Sequence, residues 1–188
     1  SECMLKPWSL LKSECVFRHK WYQLRKDTVA LPDGHIVDDY FISVRPEIVL
    51  IFPVTETGDV IFVRQYRHGA GAILLELPGG TFDPRSEAPA SAAIRELREE
   101  TGYVAHQVTP VGMVHDNPTK DTNRLHFFRA EQLRDPGPQV LDDTEEIEIV
   151  RVPMASIPDL IHTGDICVAG TIALCFLAVT VNYSPPHM

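Results

Sequence analysis

One amphipathic helix, set among segments with the pattern of β-strands, constrains the fold of this sequence more than any other feature. An apolar stripe with the spacing i, i+3, i+4 and i+7 is formed by Ala90, Ala93, Ile94 and Leu97. Gly102 follows the stripe and is expected to end the helix, Ser86 is a candidate N-cap, and Pro89 falls in the first turn, where its missing N–H does no harm. The sequence therefore predicts one well-defined helix near the middle of the chain.

The segments around this helix are rich in β-branched and aromatic residues and are separated by turn residues. Two of them flank the turn 31–34, whose Pro-Asp-Gly predicts a hairpin over residues 21–44. Further strands are predicted at 48–54, 60–67, 73–77, 108–114, 124–130 and 147–152, and the strand 73–77 is expected to end in a turn at Pro78-Gly79-Gly80. Two helices are predicted at 155–162 and 168–181. This order of elements predicts an α+β fold with a mixed sheet between helices.

Composition limits the classes of function. The chain has 188 residues, enough for one domain, or one domain with a small extension, that buries its own core. Its net charge of −9, from 17 Lys and Arg against 26 Asp and Glu, disfavours direct binding to nucleic acid or to an anionic membrane surface. The uncharged apolar stretch 166–181 has 16 residues and is shorter than the roughly 20 of a membrane span, so it predicts a buried helix. The four cysteines form no C-x-x-C pair, which favours free thiols in a reducing cytoplasm.

Acidic residues cluster at the end of the central helix. At about 100° per residue, Glu96, Glu99 and Glu100 share one edge beside the apolar stripe. Two interpretations are open for such an edge. It can be a solvated face on which Arg95 and Arg98 pair with the glutamates, or it can hold a hard divalent cation, since Mg²⁺ prefers carboxylate and phosphate oxygens.

The segment 80–103 resembles the Nudix box, whose pattern is G-x5-E-x7-R-E-U-x-E-E-x-G-U with U a bulky apolar residue. The matching residues, all at the spacing of the motif, are Glu87, Arg95, Glu96, Leu97, Glu99, Glu100, Gly102 and Tyr103. Gly80 precedes Glu87 by seven residues where the motif has six, so the loop between them carries one extra residue. The resemblance implies a Nudix-type α/β/α sandwich and a hydrolase that acts on nucleoside diphosphates linked to another moiety.

The resemblance also implies roles for individual residues. Mg²⁺ or Mn²⁺ is expected to be held by Glu96, Glu99, Glu100 and the backbone carbonyl of Gly79, with Glu99 counted among the catalytic residues as well. Divalent cations would bridge the carboxylates to phosphate oxygens and activate water. Glu87 and Arg95 are expected to form a structural pair that holds the loop against the helix.

The flanking segments 63–67 and 75–80 resemble those of the ADP-ribose and nucleotide-sugar pyrophosphatases. This resemblance implies that Arg67 contacts the diphosphate, that Gly80 lies in the substrate site, and that the products are a nucleoside monophosphate and a sugar phosphate. The general base is expected in the acidic loop 142–146, with Glu145 first and Glu146 next. The segment 115–124 departs from the pattern of these enzymes, and its Asn-Pro is interpreted as a turn.

These resemblances predict a division of the chain into two parts. Residues 1–46 would be an N-terminal β-hairpin extension that mediates a homodimer, and residues 47–188 would be the hydrolase domain. A nucleotide-type small molecule is the expected partner, with no nucleic acid and no membrane. Two alternatives remain open: a Nudix pyrophosphatase for a nucleoside triphosphate, a dinucleoside polyphosphate or coenzyme A, and a Nudix domain that senses a nucleotide without turnover.

Overall fold

The computed structural model describes residues 4–134 and 136–179. The chain separates into two units, each with its own contacts. One unit ends at Pro46 and also includes His115–Asn123, and the other contains Glu47–Val114 and the chain from Arg124 onward.

The first unit contains a three-stranded antiparallel sheet in the order β1-β2-β3, formed by Ser9–His19, Tyr22–Ala30 and Ile36–Val44. The predicted hairpin corresponds to β2 and β3, and its turn contains Gly34 at φ +89°, a conformation that glycine adopts without steric cost. Sequence reasoning missed β1. All eleven side chains of β1 are exposed, so the strand has no buried face that would produce an alternating pattern.

The segment His115–Asn123 belongs to the first unit and contains the predicted Asn-Pro turn. The backbone N–H groups of Lys120 and Asp121 both donate to the carbonyl oxygen of Asn117, at 3.0 and 2.8 Å. Ser43 of β3 donates to Lys120 and accepts from Thr122, which attaches this turn to the three-stranded sheet.

The second unit has two sheets. The strands are β4 (Glu47–Pro53), β5 (Asp59–Arg67), β6 (Ala72–Glu76), β7 (Gly79–Phe82), β8 (Val108–His115), β9 (Arg124–Ala130) and β10 (Ile147–Pro153). One sheet has the order β7-β4-β9-β8 and the other the order β10-β5-β6. The first of these is mixed, because β4 runs antiparallel to β7 and parallel to β9.

The turn predicted at Pro78-Gly79-Gly80 is wrong, because Gly79 and Gly80 begin β7 and pair with Leu50 and Val49 of β4. A Cβ atom on Gly79 would clash with the carbonyl oxygen of Val49 and would lie 3.0 Å from the Cα of Leu50. Gly79 therefore allows the backbones of β7 and β4 to lie close together. The sequence does not distinguish a glycine needed for such a close approach from a glycine needed for a turn.

The helices are α1 (Pro89–Thr101), α2 (Ile157–Thr163), which follows a 3₁₀ turn at Met154–Ser156, and α3 (Ala169–Val179). Alternate residues of β4 face two different cores. Val49 and Ile51 pack in a cluster with Leu97 of α1, whereas Phe52 packs in a cluster with Leu174 of α3. Because the sheets are covered by helices on opposite sides, the fold is the expected α+β sandwich of the α/β/α type.

The ends of α1 differ in how well they were predicted. Gly102 ends the helix as expected, with φ +74° and its N–H donating to the carbonyl of Arg98. Ser86 does not cap the start, because the N-cap position is Ala88 and makes no side-chain hydrogen bond. The hydroxyl of Ser86 instead donates to the carbonyl of Asp83, at 3.2 Å, inside the preceding turn. The extra residue in the loop before Glu87 therefore falls in a turn that is closed by its own hydrogen bonds.

Helix α3 accounts for most of the apolar stretch near the C-terminus and begins one residue after the predicted start at Val168, while residues 180–181 of the predicted helix lie outside the described residues. Leu174, Cys175 and Ala178 of α3 are buried in the core. Among the described residues, each helix is too short or too polar to cross a membrane.

Candidate active site

The C-terminal half of α1 presents the three glutamates with graded burial. Glu100 is 4% exposed, and the side chains of Glu96 and Glu99 are 13% and 38% exposed. The amphipathic stripe seats α1 on the sheet, so the edge next to the stripe is held against the neighbouring strand β7. The position of each glutamate on that edge decides how much water reaches its carboxylate.

Strand β7 brings its two glycines directly against these carboxylates. The backbone N–H of Gly79 donates to Oε2 of Glu100 at 3.0 Å. A Cβ atom on Gly80 would lie 2.5 Å from both carboxylate oxygens of Glu96, a distance that no real Cβ contact allows. The Gly-Gly pair is therefore the surface on which the two most buried carboxylates rest.

The pKa of Glu100 is raised to about 8, chiefly by burial and also by the negative charges of Glu96 and Glu145, against the opposing effects of the Gly79 N–H and Arg67. Burial also raises the pKa of Glu96, where a hydrogen bond from Arg95 opposes the effect and the charges of Glu99 and Glu145 add to it. Without a cation the carboxyl of Glu100 is therefore mostly protonated at neutral pH, and a cation that reaches the site would favour its ionised form.

Arg95 organises the outer part of this acidic edge. Its Nε and Nη2 donate to the two carboxylate oxygens of Glu87 at 2.9 and 3.0 Å, which confirms the predicted pair. Its Nη1 donates to Glu96 at 2.7 Å and to Glu99 at 2.9 Å. The hydrogen bonds that Arg95 donates to Glu87 lower the pKa of Glu87 and raise the pKa of Arg95. Arg95 therefore places a positive charge between two of the predicted metal ligands.

The donor set suits a hard divalent cation. Carboxylate oxygens of Glu96, Glu99 and Glu100, with the carbonyl of Gly79, are the ligand type that Mg²⁺ and Mn²⁺ prefer. In the described part of the chain, no three acidic, histidine or cysteine side chains already surround a common point. Glu96 and Glu99 would have to turn from Arg95 toward an arriving cation. A bound cation would offset the burial and the mutual repulsion that raise the pKa values of Glu96 and Glu100.

Arg67, at the end of β5, lies at the same site but with a partner that sequence reasoning missed. Its Nε and Nη2 donate to the carboxylate of Glu76 at 2.7 and 3.3 Å. Glu76 is 9% exposed and lies between Leu75 and Leu77. An acidic residue within an apolar run could have indicated, from the sequence, a buried carboxylate that needs a cationic partner. The charge of Arg67 lowers the pKa of Glu100, so its guanidinium is within electrostatic reach of the acids.

The acidic loop before β10 brings Glu145 toward the cluster. Glu145 is near enough for its charge to act on both Glu96 and Glu100. The other candidate base, Glu146, is an exposed residue of the same loop. The Glu145 carboxylate accepts a hydrogen bond from the backbone N–H of Asp142 at 3.0 Å. The structure therefore brings together the glutamates of α1, Gly79, Gly80, Arg67 and Glu145.

Comparison with known proteins identifies a family for this site. A family model described as "NUDIX domain" matches residues 44–168, and one described as "Nucleoside diphosphate sugar hydrolase N-terminal domain" matches residues 8–43. The chain is 29% identical over 162 residues to an ADP-ribose pyrophosphatase of Bacillus subtilis, which covers 86% of each protein. It is 28% identical over 182 residues to the ADP compounds hydrolase NudE of Escherichia coli, covering 94% of each.

A solved structure supports the same comparison at the level of the fold. The crystal structure of an ADP compounds hydrolase superposes with a TM-score of 0.82 at 26% sequence identity, over 93% of this chain and 94% of the other. The likeness therefore extends over nearly the whole length of both proteins.

Proposed function

This chain belongs to the Nudix hydrolase family, and we propose that it hydrolyses ADP-ribose or a related nucleotide sugar, with Mg²⁺ or Mn²⁺, to a nucleoside monophosphate and a sugar phosphate. Enzymes of this family act on nucleotide derivatives and generally use a divalent metal. The observation that carries the proposal is the convergence of Glu96 and Glu100 on the glycines of β7, with Glu145 and Arg67 within electrostatic reach of Glu100.

The roles of the residues follow from their placement. Glu96, Glu99, Glu100 and the Gly79 carbonyl would hold the metal. A bound divalent cation activates water and offsets phosphate charge. Glu145 faces the acids from an exposed loop, where it can accept the proton of the attacking water.

The substrate is held on the other side of this cluster. Arg67 binds the diphosphate through its guanidinium, and the Nη1 of Arg67 has no hydrogen-bond partner among the described residues. Gly80 would border the substrate, and its lack of a side chain lets the carboxylate of Glu96 pack directly against β7.

The choice of substrate class is supported by the named relatives. The similar proteins include ADP-ribose pyrophosphatases of Bacillus subtilis and Mycobacterium tuberculosis and the ADP compounds hydrolase NudE. The match of residues 8–43 to a nucleoside diphosphate sugar hydrolase N-terminal domain supports a nucleotide sugar in preference to a nucleoside triphosphate.

We also propose that residues 1–46 form a dimerisation element and that residues 47–188 form the catalytic domain. The three-stranded sheet of the first unit exposes many large apolar side chains, among them Leu10, Leu11, Phe17, Trp21, Ile36 and Phe41. Exposed apolar residues at this density favour burial against a second copy of the same surface. Light scattering at micromolar concentration should give the mass of a dimer, and a monomer mass would refute this assignment.

A cytoplasmic location is proposed on the state of the thiols. Cys15, Cys167 and Cys175 are free in the structure, as expected for a protein that works in a reducing compartment.

A product assay tests the proposed reaction. ADP-ribose, other nucleotide sugars, dinucleoside polyphosphates, nucleoside triphosphates and coenzyme A are incubated with Mg²⁺, with Mn²⁺ or with EDTA, and the products are identified by chromatography. Hydrolysis of a nucleotide sugar to two monophosphates, abolished by EDTA, is expected. Preference for another class of substrate would contradict the substrate assignment, and binding without turnover would favour the sensing alternative.

The glutamate variants assign this activity to the site. Glu100→Gln is expected to lower turnover by orders of magnitude while the variant remains folded, because a buried metal ligand is lost. Glu56→Gln is the matched control, since Glu56 is an exposed acid outside the cluster. Unchanged turnover of folded Glu100→Gln at saturating Mg²⁺ would contradict the assignment of the site.

A further inference from the structure

The side chain of Gln139 makes two hydrogen bonds to backbone carbonyls that belong to different elements. Its Nε2 donates to the carbonyl oxygen of Glu100 at 2.6 Å and to that of Ile147 at 3.2 Å. An amide nitrogen carries two hydrogens, so this arrangement uses its full donor capacity. The residue is half-buried, which strengthens these bonds relative to the same bonds in water.

The two carbonyls mark the two parts of the candidate active site. Glu100 lies in the last turn of α1, where backbone carbonyls lack partners inside the helix. Ile147 is the first residue of β10 and follows directly on the acidic loop. Gln139 therefore closes the loop 140–146 at its base and fastens it to the helix that carries the three glutamates.

The other attachments of this loop lie at its start. Gly137 donates to the carbonyl of Gly102 at 2.9 Å, and Val140 donates to that of Glu99 at 2.8 Å. Beyond Val140, the hydrogen bonds shown for the described loop residues are the local ones between Asp142 and Glu145. The distance from Glu145 to the acids of α1 is thus controlled from the base of the loop.

We propose that Gln139 is a positioning residue that holds the loop 140–146 so that Glu145 faces Glu96 and Glu100. This inference rests on the proposed function, in which Glu145 accepts a proton from water. Gln139 does not touch substrate, and it acts through the geometry of Glu145. Displacement of a catalytic group by about 1 Å is enough to cost on the order of a hundredfold in rate.

Two substitutions remove the bridge in different ways. Gln139→Glu keeps the shape of the side chain but, when ionised, has no hydrogen to donate and places its charge against two carbonyl oxygens. Gln139→Leu removes the polar group. Gln107→Glu and Gln107→Leu are matched controls, because Gln107 is exposed and lies outside the loop.

In steady-state kinetics on the best substrate, both Gln139 variants are expected to lower kcat by roughly tenfold to a hundredfold. We expect their KM to stay within about threefold of wild type, since the contacts of the substrate with Arg67 and Gly80 are intact. Both Gln107 variants should retain wild-type values. Equal losses in kcat for Gln139 and Gln107 variants, or an effect on KM alone, would overturn the inference.

A double-mutant cycle tests whether Gln139 acts through Glu145. In a Glu145→Gln background, Gln139→Leu is expected to cause no further loss in kcat, because the group that it positions is already gone. Full additivity of the two losses would overturn the inference and leave the proposed hydrolysis intact. Wild-type kcat in Glu145→Gln alone would also overturn the inference, because Glu145 would then not be the catalytic group that Gln139 positions.

Hydrogen exchange gives a readout that does not depend on activity. Amides of residues 140–146 should exchange faster in Gln139→Leu than in Gln107→Leu and wild type, because the base of the loop is released. If no substrate of the panel is hydrolysed, the proposed function fails, and faster exchange then still supports the anchoring by Gln139. Equal exchange rates in all three proteins would overturn the inference that Gln139 anchors the loop.

Discussion

Gly80→Ala is the substitution that most directly tests the geometry of the acidic cluster. Gly80 does not have the positive φ that disfavours side chains, so alanine fits the backbone of β7. Its Cβ, however, would lie 2.5 Å from both carboxylate oxygens of Glu96, about 1 Å closer than ordinary contact. The carboxylate must therefore move by about 1 Å, or the side chain must leave its rotamer at a cost of about 0.5–1.5 kcal/mol.

The loss of stability should be small and the loss of activity large. The atoms in the way are the end of a flexible side chain, so the free energy of unfolding should fall by about 1 kcal/mol, or roughly 2–4 °C in Tm. Glu96 is a predicted metal ligand, and a misplacement of about 1 Å predicts a loss of about a hundredfold in kcat/KM. The concentration of Mg²⁺ that gives half-maximal activity should also rise.

Thermal unfolding and Mg²⁺-dependent kinetics measure both quantities on the same samples. Gly69→Ala is the matched control, because its added Cβ meets no atom within 4 Å and its φ is not positive. Wild-type kcat/KM and wild-type Mg²⁺ dependence in Gly80→Ala would refute the argument that the position of the Glu96 carboxylate on β7 governs activity.

Three further predictions concern neighbouring features of the site. Arg67→Lys should lower kcat/KM tenfold to a hundredfold, about 1.5–3 kcal/mol, because lysine cannot keep the two hydrogen bonds to Glu76 and also reach the diphosphate. Arg64→Lys on the same strand should stay near wild type in the same kinetic assay. The folded-state pKa of Glu100, about 8, lies above its unfolded value of 4.5, so the folded state loses stability as this carboxyl is forced to ionise. In EDTA, the free energy of unfolding of the wild type should therefore decrease by up to about 5 kcal/mol as the pH rises from about 4.5 to about 8. Urea unfolding from pH 5 to pH 9 should show no such decrease in Glu100→Gln, and parallel curves for the two proteins would contradict this. Gly102→Ala should destabilise the fold by about 2–4 kcal/mol in thermal unfolding, since it combines a φ of +74° with a Cβ placed 2.9 Å from the carbonyl carbon of Gly137. A Tm within about 2 °C of wild type would show that this backbone contact is relieved without cost.

Helix α1 and its acids could be predicted from the sequence because they depend on residues three to eight positions apart. The apolar stripe predicts the buried face in part: Ala93 and Leu97 are buried, whereas Ala90 is exposed and Ile94 half-buried. Ala92 is buried in place of Ala90, because the face that meets the sheet lies toward Glu100 and Thr101. The same 3.6-residue period places Glu96, Glu99 and Glu100 on the adjoining edge.

Gly102 could be recognised as the helix end because it directly follows the last residues of the periodic stretch. Ser86 does not cap the helix because its hydroxyl donates to the carbonyl of Asp83 in the preceding turn. The local sequence does not show whether a serine will make this turn hydrogen bond or the capping hydrogen bond.

Most strands could be predicted from apolar runs or from a flanking turn, whereas β1 offered no such signal. Strand β4 has apolar residues on both faces and was evident, whereas β1 exposes every side chain and gave no periodic signal. The glycines of β7 were assigned to a turn because sequence shows the need for a small residue without showing whether curvature or a neighbouring backbone requires it.

The sequence by itself determined the family of the site, the helix and the identity of its acids, because these follow from short-range spacing. Tertiary structure alone decided which of these groups are buried and what they meet. The pKa of Glu100 is raised by its burial and by the charges of Glu96 and Glu145, against the opposing hydrogen bond from the N–H of Gly79, which is 21 residues away. Arg67 meets Glu76, and Gln139 meets Glu100 and Ile147, only because separate elements fold side by side. Burial and charge proximity are properties of distances in space, and for residues far apart in the chain no local periodicity encodes them.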